Sequence, residues 1–271
     1  MKINKKFFLI ISLVLAMSVL TACGNKSEFE ENSVGYIKDN GKLKVGTSAD
    51  YPPYEFHALI DGKDEIVGFD MALANYIAEE LEVELEIVEM DFKNLVGSLP
   101  TGKIDMVIAA MTPGGDRDLN FSDIYYEATH GILVRKDKID LIKTEEDLKN
   151  KKVGVQMGSV QEEIASKIEG ADLTSLSLTN NLIMELLTEK VDYIVMEKPV
   201  AQSYASTNED LVLVPGIELV DEDGGGSAVA MKKGNDELTE KVNEILKKVK
   251  EEKLMDEWVI EANEILNNSR D

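Results

Sequence analysis

Between residues 43 and 249, short apolar runs alternate with apolar residues at helical spacing, and the alternation starts over once along the way. A strand buried on both faces reads as an unbroken apolar run, whereas a helix packed on a sheet shows a stripe at i, i+3 and i+4. Residues 43–47 read as a first strand, and Leu73, Ile77 and Leu81 then recur four apart on one helical face. Residues 84–90 alternate like a half-buried strand, and 104–110 form a continuous apolar run suited to the centre of a sheet. Strands are expected again at 131–134, 153–156, 176–178 and 193–196, with helices around 161–168, 182–187 and 200–205. Residues 227–231 read as a return strand, and Leu238, Val242, Ile245 and Val249 mark a final amphipathic helix. The pattern predicts an α/β protein with two sheets. Two linkers suit crossings between them: residues 125–129 on the way out, and Gly224-Gly225-Gly226 on the way back. One lobe is then 39–128 plus 228–271 and the other 129–227, with a two-strand hinge beside a cleft that can close on a ligand.

The N-terminus reads as a targeting segment rather than part of this body. Lys2, Lys5 and Lys6 precede an apolar run over residues 7–20, short of the roughly 20 residues a permanent bilayer span needs. Leu20-Thr21-Ala22-Cys23-Gly24 follows and resembles the lipobox of bacterial lipoproteins. Residues 1–22 would be a signal peptide, and the Cys23 thiol would carry the lipid. The plainer alternative is a secretory signal followed by an incidental cysteine. Residues 23–38, polar and aperiodic through Asn25, Lys26, Ser27, Glu28, Glu30, Glu31 and Asn32, read as a tether. That one cysteine excludes a disulfide framework within the chain and a cysteine-rich zinc site. With 52 acidic residues against 29 basic ones and a net charge of −23, nucleic acid is excluded as a partner, because phosphate contacts require clustered Lys and Arg.

Lys44-Val45-Gly46-Thr47 precedes Tyr51-Pro52-Pro53-Tyr54-Glu55-Phe56, and Ile66-Val67-Gly68-Phe69-Asp70 follows. Then come Gly102-Lys103-Ile104-Asp105, Phe121-Ser122-Asp123 with Tyr125-Tyr126, and Lys152-Val153-Gly154-Val155-Gln156 with Gly158-Ser159. Val191-Asp192 and Glu197-Lys198-Pro199-Val200-Ala201 close the set. These strings cover nearly all of residues 42–265, and their ordered set resembles the extracellular solute-binding proteins of polar amino acid ABC importers (solute-binding protein family 3). The hairpin from His57 to Lys63 is similar to the Gram-positive arginine or general polar amino acid branch. The resemblance implies a type II periplasmic-binding-protein fold, each lobe a mixed sheet flanked by helices. It also implies a monomer that needs no cofactor or metal, anchored by lipid on the extracytoplasmic face. Its partners would be a free polar amino acid (arginine, lysine, glutamine or similar) and an ABC permease with its ATPase.

A free amino acid brings a carboxylate and an ammonium into the cleft, and both need charged or dipolar partners once water is lost. The resemblance places the carboxylate on Arg117, whose planar fork can hold both oxygens, with Thr112 beside it. Ser159 and Val160 open a helix whose first N–H groups can receive the same carboxylate. Glu197 is implied for the α-ammonium with the Ala110 carbonyl, next to Met111, as second acceptor. Tyr51 and Phe92 match the aromatic pair that encloses the ligand side chain. Ser48, Asp50 and Gln156 fall where side-chain contacts vary, and Ser48 stands where lysine- and arginine-binding members often carry an aspartate. Asp50 or Glu55 is left to supply negative charge instead, or only to cap a turn, and Gln156 could hydrogen-bond an amide such as that of glutamine. The segment from Pro113 to Phe121 is about two residues shorter than usual and carries Gly114-Gly115.

A surface amino acid sensor or adhesin on the same domain is the main alternative, and an enzyme of the same fold, of the dehydratase type, a further one. His57 and His130 are the only histidines, and neither has an evident serine or cysteine nucleophile or a paired-His metal spacing. Met106, Met111, Met157 and Met196 read as core.

Overall fold

The computed structural model describes residues 32–114, 117–220 and 225–268. The expected signal peptide, Cys23, the tether up to residue 31, Gly115 and Gly224 lie outside the described residues.

The described chain starts with α1 (Val34–Asn40), β1 (Lys42–Thr47), β2 (Asp50–Tyr51), β3 (Glu55–Ile60), β4 (Lys63–Val67), α2 (Phe69–Leu81), β5 (Glu84–Glu89), α3 (Phe92–Ser98), β6 (Met106–Val107) and β7 (Leu119–Tyr126). It continues with β8 (His130–Arg135), two short 3-10 turns, β9 (Lys152–Gln156), α4 (Val160–Ser166), β10 (Asp172–Leu176), α5 (Thr179–Leu187), β11 (Tyr193–Glu197), α6 (Lys198–Thr207) and β12 (Leu211–Leu213). β13 (Ser227–Lys232), α7 (Asp236–Glu252) and α8 (Leu254–Asn268) complete it.

Two five-stranded sheets result. The first has the order β5-β1-β6-β13-β7, with β1 parallel to β5 and β6, and β13 antiparallel to β6 and β7. The second has the order β10-β9-β11-β8-β12, with β9 parallel to β10 and β11, and β8 antiparallel to β11 and β12. Both sheets are therefore mixed. A small third sheet, β2-β3-β4, forms the hairpin of the first lobe. The chain passes from the first sheet to the second between Tyr126 and His130 and returns between Leu213 and Ser227.

Helix faces bury as their periodicity dictates. Leu73, Ala74, Ile77 and Leu81 of α2 and Leu238, Val242 and Ile245 of α7 are all fully buried. A buried Leu or Ile of this kind contributes about 1.5–3 kcal/mol. Met106, Met111 and Met196 are core residues as expected, whereas Met157, at the turn after β9, is only half-buried.

Four differences from the sequence reading have physical causes. The expected tether to residue 38 ends earlier: Ser33 caps α1 by accepting the Tyr36 N–H, and Ile37 is fully buried. Asn32 is buried as well, its amide donating to the carbonyls of Leu99 and Ile104. The apolar run 104–110 pairs as a strand only at Met106–Val107, and Ala110 turns the chain out with φ 47°. The strand expected at 176–178 lies at Asp172–Leu176, and Leu178 occupies the N-cap position of α5. The last helix is α8, not α7: Lys253 adopts φ 59°, and α8 then folds back on α2, with Trp258 5.7 Å from Tyr76.

Candidate functional site

The first lobe's share of the cleft starts where β1 ends. Thr47, Ser48, Asp50 and Tyr51 are all buried there. The β3–β4 hairpin returns at Gly68, whose φ of 122° and close approach to the Tyr54 carbonyl leave no room for a Cβ. This brings Asp70 to the start of α2, where its backbone N–H donates to the Tyr54 carbonyl. The Asp70 carboxylate accepts the Ala110 N–H at 2.8 Å and the Tyr125 hydroxyl at 2.9 Å. Ala110 is thus pinned in the left-handed region, at a cost of about 1 kcal/mol or more for a non-glycine residue. The turn that follows leaves the buried Thr112 hydroxyl without a hydrogen-bond partner. Arg117 Nη1 donates to the Thr112 carbonyl at 2.8 Å, and Nη2 donates at 2.8 Å to the Gly158 carbonyl of the second lobe.

The second lobe answers from the ends of two strands. At the end of β9 the Gln156 side chain is buried and its Nε2 has no partner. Gly158 turns with φ 81°, and Ser159 caps α4 by accepting the Glu162 N–H, with Val160 buried behind it. At the end of β11, Glu197 is fully buried. Its N–H donates to the Tyr51 hydroxyl, its Oε2 accepts the Tyr54 hydroxyl, and its Oε1 has no partner.

Tyr51 and Phe92 are both buried but pack in different clusters: Tyr51 lies beside Tyr54, with ring centres 5.9 Å apart, and Phe92 among Leu95, Leu99, Ile104 and Met111. Asp50 does not point freely at the cleft. Its Oδ2 accepts the Thr179 N–H of the second lobe at 2.5 Å, and Ser48 Oγ stands 3.4 Å from Oδ1.

The electrostatics are one-sided. Asp50, Glu55, Asp70 and Glu197 are all buried, and no lysine or arginine is buried among the described residues. Burial is the main cause in pushing Asp50 and Asp70 up to about 6 and Glu197 up to about 8. Burial, followed by the charge of Asp70, holds Glu55 well above the usual carboxylate range, and it hydrogen-bonds Asp70. The Glu55 Oε2 has no hydrogen-bond partner. His57 lies at the surface between Glu89 and Asp64, which both raise it. His130 is buried opposite Glu197 on the neighbouring strand, its ring 3.2 Å from the Gln161 amide.

Arg117, bonded to Thr112, therefore meets the second lobe at Gly158, beside Ser159 and Val160, and Tyr51 and Tyr54 meet it at Glu197. Met111, by contrast, is fully buried in the core of the first lobe with Phe92 and Leu95. Four residues of this constellation had no role assigned from sequence. Asp70 and Tyr54 sit inside strings that the resemblance already quoted. Thr179 and Tyr204, which meet Asp50 from the second lobe, carry no local signal.

Comparison with known proteins agrees with this fold. The chain is 36% identical over 265 residues to the arginine-binding extracellular protein ArtP of Bacillus subtilis, covering 94% of this chain and 98% of that one. It is 30% identical over 236 residues to the L-cystine-binding protein TcyJ of Escherichia coli (strain K12), covering 86% of each. Its fold matches an amino acid ABC transporter substrate-binding protein from Streptococcus pneumoniae, crystallised bound to L-arginine, with a TM-score of 0.82 and 36% identity over 86% of this chain and 98% of that one. Residues 43–261 match the bacterial extracellular solute-binding proteins, family 3, and the chain belongs to that family, in its two-lobed type II periplasmic-binding form.

Proposed function

We propose that this protein is the receptor of an ABC importer, that it captures a basic amino acid, arginine foremost, between its lobes, and that it delivers the ligand unchanged to the permease. The observation that carries the ligand class is the set of four buried carboxylates with no buried lysine or arginine among the described residues. Ionised together they would be prohibitively costly, so the site either holds protons or receives positive charge from its ligand. An α-ammonium beside Glu197 Oε1 and a guanidinium or ε-ammonium toward Glu55 would supply it. The aspartate missing at Ser48 is thereby replaced from within the same buried cluster. Arg117 and the Thr112 hydroxyl take the ligand carboxylate, with the first turn of α4 from the other side. Tyr51 and Phe92 flank the side chain, and Gln156 offers a free N–H to it. The arginine-binding relatives support the same class. Cys23 anchors the receptor by lipid to the outer face of the membrane.

A thermal-shift screen tests this reading. At 100 times its dissociation constant a ligand stabilises a fold by about 2.7 kcal/mol, enough for a clear shift in Tm. Arginine, lysine and ornithine should shift the protein, and citrulline, which matches arginine in shape without its charge, should not. An equal shift with citrulline or glutamine would overturn the basic-ligand reading.

A further inference from the structure

Helix α5 begins without a cap of its own, because Leu178 at its N-cap position has no side-chain acceptor for the first-turn N–H groups. The acceptor comes from the opposite lobe. Asp50, 129 residues away in sequence, takes the Thr179 N–H on Oδ2 and a further hydrogen bond from the Asn180 backbone. Its backbone carbonyl accepts the Tyr204 hydroxyl of α6 at 2.9 Å, and that hydroxyl also lies 2.9 Å from Asn180 Oδ1. Two helices of the second lobe thus grip one buried residue of the first. Unlike Glu197, whose Oε1 has no partner, Asp50 spends its Oδ2 on a backbone N–H of the protein itself.

We propose that Asp50 is a latch: when the lobes close, its carboxylate becomes the N-cap of α5 and holds the cleft shut by contacts that do not depend on the amino acid inside. The proposal rests on the reading of the molecule as a closing two-lobed receptor. Asp50 is then a positioning residue, and its loss should speed dissociation and also open the ligand-free chain, because the latch favours the closed state whether or not an amino acid is inside.

Two variants break the contact from its two sides. Asp50→Ala removes the acceptor. Thr179→Pro removes the donor at the first helical position, where proline is tolerated, and Leu178 at φ −111° and ψ 129° already has the extended backbone that precedes proline. Thr179→Val keeps the N–H and serves as control. Stopped-flow release of L-arginine is read in each. In parallel, nitroxides at Lys63→Cys and Glu209→Cys, exposed positions on opposite lobes, report the interlobe distance of the ligand-free chain in a Cys23→Ser background. Both latch variants should speed release roughly 10- to 100-fold, as expected for a hydrogen bond to a charged acceptor. The double variant should be no worse than either single one, and the ligand-free distances should lengthen. A Thr179→Pro chain that folds and releases arginine at the wild-type rate would overturn the latch and return Asp50 to ligand contact. If wild-type protein binds no arginine, the proposed ligand class fails on its own. The distances still decide the latch in that case, and an unchanged distribution in Asp50→Ala would refute it.

Discussion

Asp70 illustrates how a residue can shape the cleft without any assigned part in ligand chemistry. Its carboxylate satisfies the Ala110 N–H and the Tyr125 hydroxyl, and through Ala110 it sets the direction of the turn that carries Thr112 and Arg117. Nothing in one sequence marks that task, since the partners are 40 and 55 residues away. Arg117 was picked out by the resemblance, and its planar fork suits a carboxylate. The structure adds that it already spans the cleft through the Gly158 carbonyl. Arg117→Ala should therefore cost both a ligand partner and a lobe-to-lobe bond, weakening arginine binding by about 3 kcal/mol or more by calorimetry. Unchanged affinity would remove Arg117 from the site. Glu197→Gln should weaken binding about 10- to 100-fold, because the ammonium loses a charged acceptor at a fully buried position.

At the scale of elements, the strands and the long helices were readable because burial imposes period on their apolar residues. The α2 and α7 stripes fell where expected, and so did β8, β9 and β11 to within a residue or so. What sequence did not convey was set by contacts made elsewhere. Helix α1 is seven residues long and depends on its Ser33 cap and on burial of Ile37. Helix α8 was hidden by the charged stretch from Glu251 to Lys253, which reads as an end but is a turn between two helices. The hairpin return is a place where one backbone conformation decides an element. Gly68→Ala would set a Cβ 2.1 Å from the Tyr54 carbonyl oxygen at φ 122°. It should destabilise the first lobe by more than about 2 kcal/mol in urea unfolding, and a loss below about 0.5 kcal/mol would show that the hairpin can shift to accommodate it.

For the molecule as a whole, the buried acids link stability to pH. Glu197, Asp50 and Asp70 have folded-state values raised to about 8, 6 and 6, above those of the unfolded chain. A raised value means that the folded protein binds protons the unfolded chain has released, so this stabilisation is complete below about pH 4 and drains away as pH rises toward 8. The ligand-free protein should accordingly show a higher urea midpoint at pH 5.5 than at pH 8. The reverse order would mean that these carboxylates are not buried as described. A cation placed beside Glu197 inverts the relation, because it favours the ionised carboxylate and makes binding release a proton. Titration calorimetry of L-arginine at pH 7, in two buffers of different ionisation enthalpy, measures affinity and proton release together. Tight binding is expected, with net release of up to about one proton, from a site whose main titrating group lies near 8. Absence of binding, or binding with heats identical in both buffers, would contradict a cleft built on buried carboxylates that await a cationic amino acid.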